Sequence, residues 1–278
     1  MNSASASASR TLLASRGATA RVLAVANQKG GVGKTDLTVN VSCQLASVGK
    51  RVLLIDMDPQ ANATDYLVAP DARTARTTTA DLLLDDSVTL SDAVTKGCRA
   101  GLDIIPSHPD LSSCQIRLAN DINMQFKLRR KLKVLAEGTH HYDFVLIDTP
   151  PSLGLLTVNS LTAANWVIVP VQTHYFAMDG VVQLQETIRR VSEDINPGLK
   201  ILGVVLTMYD RRTLISREVE AKVRSEFGGR VFSTVIPVNV RLAEAPSHHK
   251  SIFEYDSDCN GARAYQELVK EILSCPDA

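Results

Sequence analysis

The sequence predicts a doubly wound α/β fold, in which a mostly parallel sheet carries helices on both faces. Short apolar runs rich in β-branched residues alternate with helical patterns along most of the 278-residue chain. This alternation is typical of parallel strands joined by helical crossovers. The runs are apolar throughout, which indicates strands buried on both faces of the sheet. A chain of this length can bury such a core.

Seven strands and six main helices are expected in alternation. The strands are predicted at residues 22–26, 52–55, 102–105, 144–147, 167–171, 201–207 and 231–236. The helices are predicted at 35–48, 113–136, 154–164, 178–194, 215–226 and 261–274. Residues 60–100 are the least regular part, with short helices expected near 80–84 and 90–94. Ligands of such sheets bind at the carboxyl ends of the strands, so the residues there are the candidates for function.

The first twenty residues differ in composition from the rest of the chain. They are rich in Ser and Ala, contain no acidic residue and have no continuous apolar segment, which argues against a secretory signal. Residues 1–20 are interpreted as a disordered tail, and an organellar transit peptide is the alternative. Residues 21–278 contain neither an internal repeat nor a linker and are predicted to form a single domain.

Composition limits the possible partners. Thirty basic and thirty acidic residues give a formal net charge of zero, so affinity for DNA or anionic lipid must come from a local patch. Five cysteines without C-x-x-C spacing are expected to be reduced thiols in a cytoplasmic protein. Apolar runs are too short to span a membrane, so no membrane partner is expected.

The most informative motif follows the first predicted strand. Residues 29–35 read Lys-Gly-Gly-Val-Gly-Lys-Thr and lead into the first predicted helix. A glycine turn at a helix start presents backbone N–H groups and a favourable dipole to phosphate, and Lys34 adds a positive charge. The usual phosphate-loop pattern has a glycine where this chain has Gln28. A second lysine, Lys29, stands at the head of the loop instead, one charge more than nucleotide binding within one chain requires.

Two predicted strands end in aspartate. The second strand runs into Asp56 and Asp58, and the fourth runs into Asp148. Mg²⁺ prefers oxygen ligands, and acidic strand ends beside a phosphate loop are typical of its sites. Thr35 is expected to ligate the ion directly, with Asp58 and Asp148 acting largely through bound water. The alternative is that each aspartate only caps the turn that follows it.

These motifs together resemble the ParA/Soj partition ATPases, in the deviant-Walker group that also contains MinD. The resemblance is carried by residues 29–35, 56–64, 148–159, 170–172 and 239–248, and extends over nearly the whole chain from residue 21. The last segment, Asn-Val-Arg-Leu-Ala-Glu-Ala-Pro-Ser-His, is specific to the partition branch.

The resemblance implies ATP and Mg²⁺ as cofactors and an ATP-dependent sandwich homodimer. Lys29 would reach the partner's phosphates, Lys34 would hold the β- and γ-phosphates, and Asp58 would orient the attacking water. The remaining implied nucleotide contacts come from Gly30, Gly31, Val32 and Gly33 of the loop, from Thr35 and Asp36, and from Met208, Pro237 and Asn239 around adenine. His174 follows a strand end and could face the nucleotide on position alone.

The resemblance also implies an output on DNA. Arg212 and Arg241 match positions that contact DNA phosphates, and a dimer doubles each contact into a sequence-independent surface for double-stranded DNA. A ParB-like partner would stimulate slow hydrolysis, and the ATP state would associate with the nucleoid. The expected role is to segregate or position a plasmid, a chromosome origin or another cargo.

Three departures from the family pattern modify these expectations. Asp36 stands where relatives have Thr or Ser beside the α-phosphate, so its carboxylate is expected to weaken ATP binding. Val238 replaces an arginine, and the segment 256–260 is acidic where relatives are more basic. Both changes predict weaker DNA binding than in a typical relative, or DNA binding by a different surface.

Three alternatives to partition require features that can be compared with this sequence. A MinD-like regulator would end in a basic amphipathic helix, whereas Glu267 and Glu271 stand in the last predicted helix. An iron–sulfur carrier would need interface cysteines in glycine-rich motifs, which Cys98 and Cys114 lack. A scaffold that has lost turnover through Asp36 is the third alternative.

Overall fold

The computed structural model describes residues 20–68, 77–118, 121, 123–135, 141–174 and 177–275, with the backbone alone described for 177–182. Eight strands form one sheet: β1 (Arg21–Val25), β2 (Val52–Asp56), β3 (Thr95–Arg99), β4 (Leu102–Ile105), β5 (Phe144–Asp148), β6 (Trp166–Gln172), β7 (Lys200–Tyr209) and β8 (Val231–Pro237). Their order across the sheet is β3-β4-β2-β5-β1-β6-β7-β8. All neighbouring pairs are parallel except β3 and β4. The predicted fold class is therefore confirmed.

Twelve α-helices are described between or after these strands: α1 (Lys34–Ser47), α2 (Asn62–Leu67), α3 (Thr79–Leu84), α4 (Leu90–Ala93), α5 (Leu111–Leu118), α6 (Lys127–Leu132), α7 (Leu155–Ala163), α8 (Ala177–Asp194), α9 (Leu214–Phe227), α10 (Val240–Glu244), α11 (Ile252–Tyr255) and α12 (Asn260–Ser274). Alternate residues of each central strand point to opposite faces. On one face Leu23 and Leu54 pack against α1 and α12, and on the other Leu53 and Ile55 pack against α3, α5 and α7.

The sheet reverses its winding direction at β1, where the site is built. The chain leaves β5 through α7 and enters β6 on the other side of β1, so β5 and β6 both pair with β1. Such a switch point opens a crevice at the carboxyl ends of the strands. The β1–α1 loop, Asp148 after β5 and Gln172 at the end of β6 converge on this crevice.

The predicted elements differ from the structure in one long helix, one edge strand and three short helices. The single helix expected at 113–136 is instead α5, a 3₁₀ turn at Met124–Phe126, α6 and a second 3₁₀ turn at Lys133–Leu135. The edge strand β3 was not predicted, because its residues are largely polar and partly exposed. The short helices α2, α10 and α11 were also not predicted. The tail at 1–20 lies outside the described residues except for Ala20, and its disorder stays a prediction.

Candidate functional site

The glycine loop between β1 and α1 is shaped by two residues in left-handed conformation. Gly31 has a φ of 71° and Gly33 a φ of 83°. Residues other than glycine adopt this backbone region only at a cost in free energy. The Gly33 carbonyl accepts the first helical hydrogen bond, from the Leu37 N–H at 2.9 Å. The loop therefore passes directly into the first turn of α1, as the motif predicts.

Two buried side chains fix this loop to the sheet. Asn27 donates from Nδ2 to the Pro170 carbonyl at 2.7 Å, and its Oδ1 accepts the Lys29 N–H at 3.0 Å. Thr207 donates from Oγ1 to the Val32 carbonyl at 2.9 Å. The loop is thus held to both β6 and β7. Neither Asn27 nor Thr207 was singled out from the sequence, because each lies outside the phosphate-loop pattern.

Lys34 is buried at the centre of the site. Its Nζ donates to the Lys29 carbonyl at 3.0 Å, which folds the side chain back across the loop. Burial lowers the pKa of Lys34, while the nearby carboxylates of Asp148 and Asp58 raise it. This ammonium group is therefore presented from within the loop, between the glycine turn and the two acidic strand ends.

The second strand end, Asp148, is fully buried against α1. Its Oδ2 accepts the Thr35 hydroxyl at 2.8 Å and its Oδ1 accepts the Thr38 hydroxyl at 3.1 Å. Asp56 lies opposite Asp148 in the β2–β5 register. Burial raises the pKa of Asp148 well above its usual range, and the charge of Asp56 adds to the shift. A cation beside these carboxylates would offset that cost.

Asp58 lies two residues beyond the end of β2 and lines the same cavity as Lys34 and Thr35. Its Oδ1 accepts the Gln60 N–H at 3.0 Å. Thr35, Asp58 and Asp148 supply only oxygen atoms, which fits a hard cation such as Mg²⁺. No group of three or more His, Cys, Asp or Glu side chains arranged to hold a metal ion occurs in the described part of the chain. The candidate donor set is therefore one hydroxyl and two carboxylates, to be completed by water and phosphate.

Two adjoining cavities lie over these residues. The first has a volume of about 270 Å³ and is lined by the loop, Lys34, Thr35 and Asp58. The second has a volume of about 430 Å³ and is mostly apolar. Gly33, Asp36 and Met208 line both cavities. The result is a charged compartment that joins an apolar one, as a phosphate chain attached to a base requires.

The second cavity contains all three predicted adenine contacts. Met208, Pro237 and Asn239 line it, and so does His174, whose position alone had suggested a contact. Met208 has a positive φ of 51°, and its carbonyl accepts the Thr173 hydroxyl at 3.0 Å. Asn239 caps α10 by accepting the Arg241 N–H at 2.8 Å. Its side-chain oxygen is thus already engaged in local structure.

Asp36 lies in the first turn of α1, between the two cavities. The Tyr66 hydroxyl of α2 donates to Asp36 Oδ1, and Asn40 Nδ2 donates to the Asp36 carbonyl at 2.8 Å. Burial raises the pKa of Asp36, and the hydrogen bond from Tyr66 opposes that shift. The carboxylate therefore has a dedicated partner at the edge of the predicted α-phosphate position.

The two candidate DNA contacts are exposed and paired with carboxylates of their own chain. Arg212, whose side chain is 89% exposed, contacts Asp210 at 2.8 Å. Arg241 contacts Glu244 at 3.1 Å and Asp256 at 3.4 Å. The acidic segment noted in the sequence is thus placed against one of the two arginines.

Val238 lies at the boundary of two hollows on this side of the molecule. It is 62% exposed and lines both the apolar cavity and a groove of about 660 Å³ beside β8. Arg211, Arg212 and Arg263 line the same groove. Asp210 and Glu267 line it as well, so the valine that replaces an arginine lies in a groove with three basic and two acidic residues.

The fold and the glycine loop define a nucleotide-binding protein of the P-loop class, with the second lysine of the deviant-Walker type. A family profile described as "AAA domain" matches residues 20–201. The chain is 48% identical over 255 residues to the chromosome partitioning protein ParA of Caulobacter vibrioides. The matched region covers 91% of this chain and 94% of that protein. It is 44% identical over 254 residues to the sporulation initiation inhibitor protein Soj of Bacillus subtilis, with 91% and 98% covered.

Among solved structures, cobyrinic acid a,c-diamide synthase from Mycobacterium smegmatis with a bound ATP analogue and magnesium has a TM-score of 0.77 and 37% identity. The match covers 91% of this chain and 94% of that one. The chain belongs to the ParA/Soj family of chromosome-partitioning ATPases.

Proposed function

We propose that this protein is a Mg²⁺-dependent ATPase that switches between an ATP-bound dimer on DNA and a released form, and so partitions DNA or another cargo. The observation that carries the proposal is the pair of adjoining cavities, one charged and one apolar, at the carboxyl edge of the sheet. The family assignment supports hydrolysis of a nucleotide. The proposal adds three statements to hydrolysis: that the protein dimerises, that it binds DNA, and that a partner protein stimulates it.

The residues divide the binding of Mg²⁺–ATP between them. Lys34 and the loop N–H groups hold the β- and γ-phosphates, and Thr35 ligates the ion. Asp148 is buried behind Thr35, so it acts through the Thr35 hydroxyl and through bound water. Asp58, whose carboxylate faces the first cavity, orients the attacking water. The base lies in the second cavity against Met208 and Pro237.

Lys29 gives the reason for dimerisation. Its carbonyl accepts a hydrogen bond from the Lys34 ammonium group, and its own side chain is half-buried. A positive charge supplied by a second chain would offset the charge that develops on the transferred phosphate only after two chains have met. Hydrolysis is then slow in a monomer and depends on assembly.

DNA binding rests on exposed arginines rather than on net charge. Exposed ion pairs contribute only about 0–1 kcal/mol each, so Arg212 and Arg241 can exchange their carboxylates for DNA phosphates at little cost. Arg211 and Arg263, on the same groove as Arg212, form no ion pair within the described residues. A dimer doubles these contacts into one sequence-independent surface. A ParB-like partner that stimulates hydrolysis would end the DNA-bound state.

The structure disfavours the MinD-like alternative. The apolar stripe of α12 is buried, with Leu268, Val269 and Ile272 packed against the sheet. A membrane-surface helix needs such a stripe to be available to lipid. In the described part of the chain no helix is both long enough and apolar enough to cross a bilayer.

The experiment that tests the proposal is binding to random duplex DNA with Mg²⁺–ATP or Mg²⁺–ADP across a salt series. Tight binding with ATP alone is expected, with an affinity that falls steeply with salt. Equal binding with both nucleotides would contradict the switch. Parallel ATPase assays with Lys34→Ala decide between turnover and a scaffold without it, since only a hydrolase loses phosphate release in this variant.

Single substitutions locate the DNA surface. Arg212→Ala and Arg241→Ala should each weaken binding and reduce the salt slope by about one per chain. Arg189→Ala is the matched control, because Arg189 is also exposed and is paired within α8 to Glu186 and Glu193. An equal loss in the control variant would show a general charge effect and not a local surface.

A further inference from the structure

We propose that Thr64 and Ser107 are positioning residues for hydrolysis, because they close a ring of hydrogen bonds around the backbone of Asp58. This inference rests on the proposed ATPase function. Neither residue touches the charged cavity, and neither belongs to the glycine loop. Their effect on the reaction is therefore exerted through Asp58.

The first half of the ring is built on Asp56. This fully buried carboxylate accepts the Asp58 N–H on Oδ1 at 3.1 Å. On Oδ2 it accepts both the N–H of Thr64 at 2.8 Å and its hydroxyl at 2.7 Å. Asp56 thus links the chain just after β2 to the first turns of α2. The Thr64 hydroxyl has given its proton to this bond and can only accept from any further partner.

The second half of the ring returns to Asp58 through the loop after β4. The Ser107 N–H donates to Thr64 Oγ1 at 2.8 Å, and the Ser107 hydroxyl donates to the Asp58 carbonyl at 2.7 Å. The same carbonyl also accepts the Ala61 N–H at 2.9 Å. Both backbone groups of Asp58 are therefore fixed, one by Asp56 and the other by Ser107.

Burial makes the ring of hydrogen bonds a rigid support for the Asp58 backbone. Asp56, Asp58, Thr64 and Ser107 are all buried, so each unmade bond leaves a polar group without its protein partner. Thr64 and Ser107 also line a cavity of about 260 Å³, and a water molecule that enters it can bond a freed group but does not hold the Asp58 backbone in place. With its backbone held by the ring, Asp58 presents its carboxylate to the charged cavity. Its Oδ1 accepts the Gln60 N–H, and its Oδ2 has no hydrogen-bond partner within the described residues. That free oxygen is the one available to a water molecule.

The ring affects turnover rather than nucleotide binding. Phosphate binding depends on the glycine loop and Lys34, which share no hydrogen bond with Thr64 or Ser107. Orientation of a catalytic group is more sensitive, since a misplacement of about 1 Å can reduce a rate by about 100-fold. Loss of the ring should therefore lower kcat and leave the affinity for nucleotide nearly unchanged.

The test uses the full chain and the variants Thr64→Val, Thr64→Ser and Ser107→Ala. We expect Thr64→Val and Ser107→Ala to lower kcat at saturating Mg²⁺–ATP by about tenfold or more, with the nucleotide Kd within about twofold of the wild type. Thr64→Ser keeps the hydroxyl and should restore most of kcat. The double variant Thr64→Val/Ser107→Ala should be no slower than the slower single variant, because the ring is opened only once.

A matched control separates positioning from loss of stability. Ser160→Ala removes a buried hydroxyl of α7 that donates to the Leu156 carbonyl at 2.8 Å, far from Asp58 in the fold. It should leave kcat at saturating Mg²⁺–ATP at the wild-type value, whatever its effect on the Tm. If the ring variants retain full kcat, or lose affinity and kcat in parallel, the positioning role is wrong while the ATPase function stands. A wild-type protein without ATP turnover overturns both.

Discussion

Replacing Asp36 by a neutral residue should tighten nucleotide binding. In the structure the carboxylate lies in the first turn of α1 and lines both cavities, beside the place where the proposal puts the α-phosphate. Within the described residues its side chain accepts one hydrogen bond, from the Tyr66 hydroxyl, and this bond does not neutralise a negative charge. An anion on the phosphate chain therefore meets an uncompensated negative charge.

The magnitude follows from Coulomb's law. Two unit charges roughly 5–6 Å apart repel by about 3 kcal/mol at an effective dielectric constant of about 20. The cavity is open to solvent, and burial raises the pKa of Asp36, so that the carboxyl group can take up a proton beside a phosphate; both effects reduce the repulsion to about 1–3 kcal/mol. This corresponds to a change of about 5- to 150-fold in Kd.

The assay is equilibrium binding of a fluorescent ATP analogue to the wild type, Asp36→Thr and Asp36→Asn. Asparagine removes the charge, nearly preserves the shape and keeps an acceptor for the Tyr66 hydroxyl. It should therefore recover most of the gain seen with threonine. A Kd for Asp36→Asn within twofold of the wild type would refute the electrostatic reasoning. A gain with threonine alone would assign the effect to a hydroxyl contact with phosphate.

Three further predictions concern other parts of the chain. Lys29→Ala should leave the nucleotide Kd nearly unchanged but abolish turnover, because we propose that this lysine acts on the partner's phosphates. Binding and phosphate-release assays measure the two effects, and a large loss of affinity would contradict the proposed action in trans. Val238→Arg should strengthen DNA binding and steepen its salt dependence by about one phosphate contact per chain, since the side chain is exposed on the arginine-lined groove; an unchanged slope would place the DNA elsewhere. Cys43 and Cys98 should resist alkylation at pH 8 until the protein unfolds, because burial raises the pKa of each thiol to about 12 and leaves only about one part in ten thousand as thiolate; peptide mapping of labelled cysteines checks this.

Most of the fold could be predicted because the central strands are apolar throughout. Such runs have few alternatives to a sheet buried on both faces. The edge strand β3 gave no such signal, since Lys96 and Gly97 are exposed and only one side of the strand meets the protein. The helix expected at 113–136 was wrong for a related reason. Its helical periodicity continues through a segment that is divided into α5 and α6 in the structure. The spacing of apolar residues along the chain does not indicate where a helix ends because its packing partners change.

The site was predictable only where one motif contains the chemistry. The loop residues and the aspartates at strand ends follow from spacing along the chain, and the structure places them together. Asn27 and Ser107 could not be found in this way, because their partners are Pro170 and Asp58, far away in sequence. A polar side chain directly after a buried strand was the available signal, and it does not say which backbone group the side chain will meet.

The helix α2 connects Asp36, the departure from the family pattern, to the ring of hydrogen bonds proposed to position Asp58. Tyr66 and Thr64 are two residues apart in α2, so their side chains point to nearly opposite sides of the helix. Tyr66 donates to Asp36 beside the nucleotide, and Thr64 donates to Asp56 within the ring. A change at Asp36 that breaks the Tyr66 bond therefore frees one side of the helix that carries Thr64. Charge and position can be separated here, since Asp36→Asn keeps an acceptor for Tyr66 and Asp36→Ala does not. If α2 transmits the disturbance, the alanine variant should lower kcat relative to the asparagine variant at saturating ATP, and equal kcat values would show that the two sides of α2 act independently.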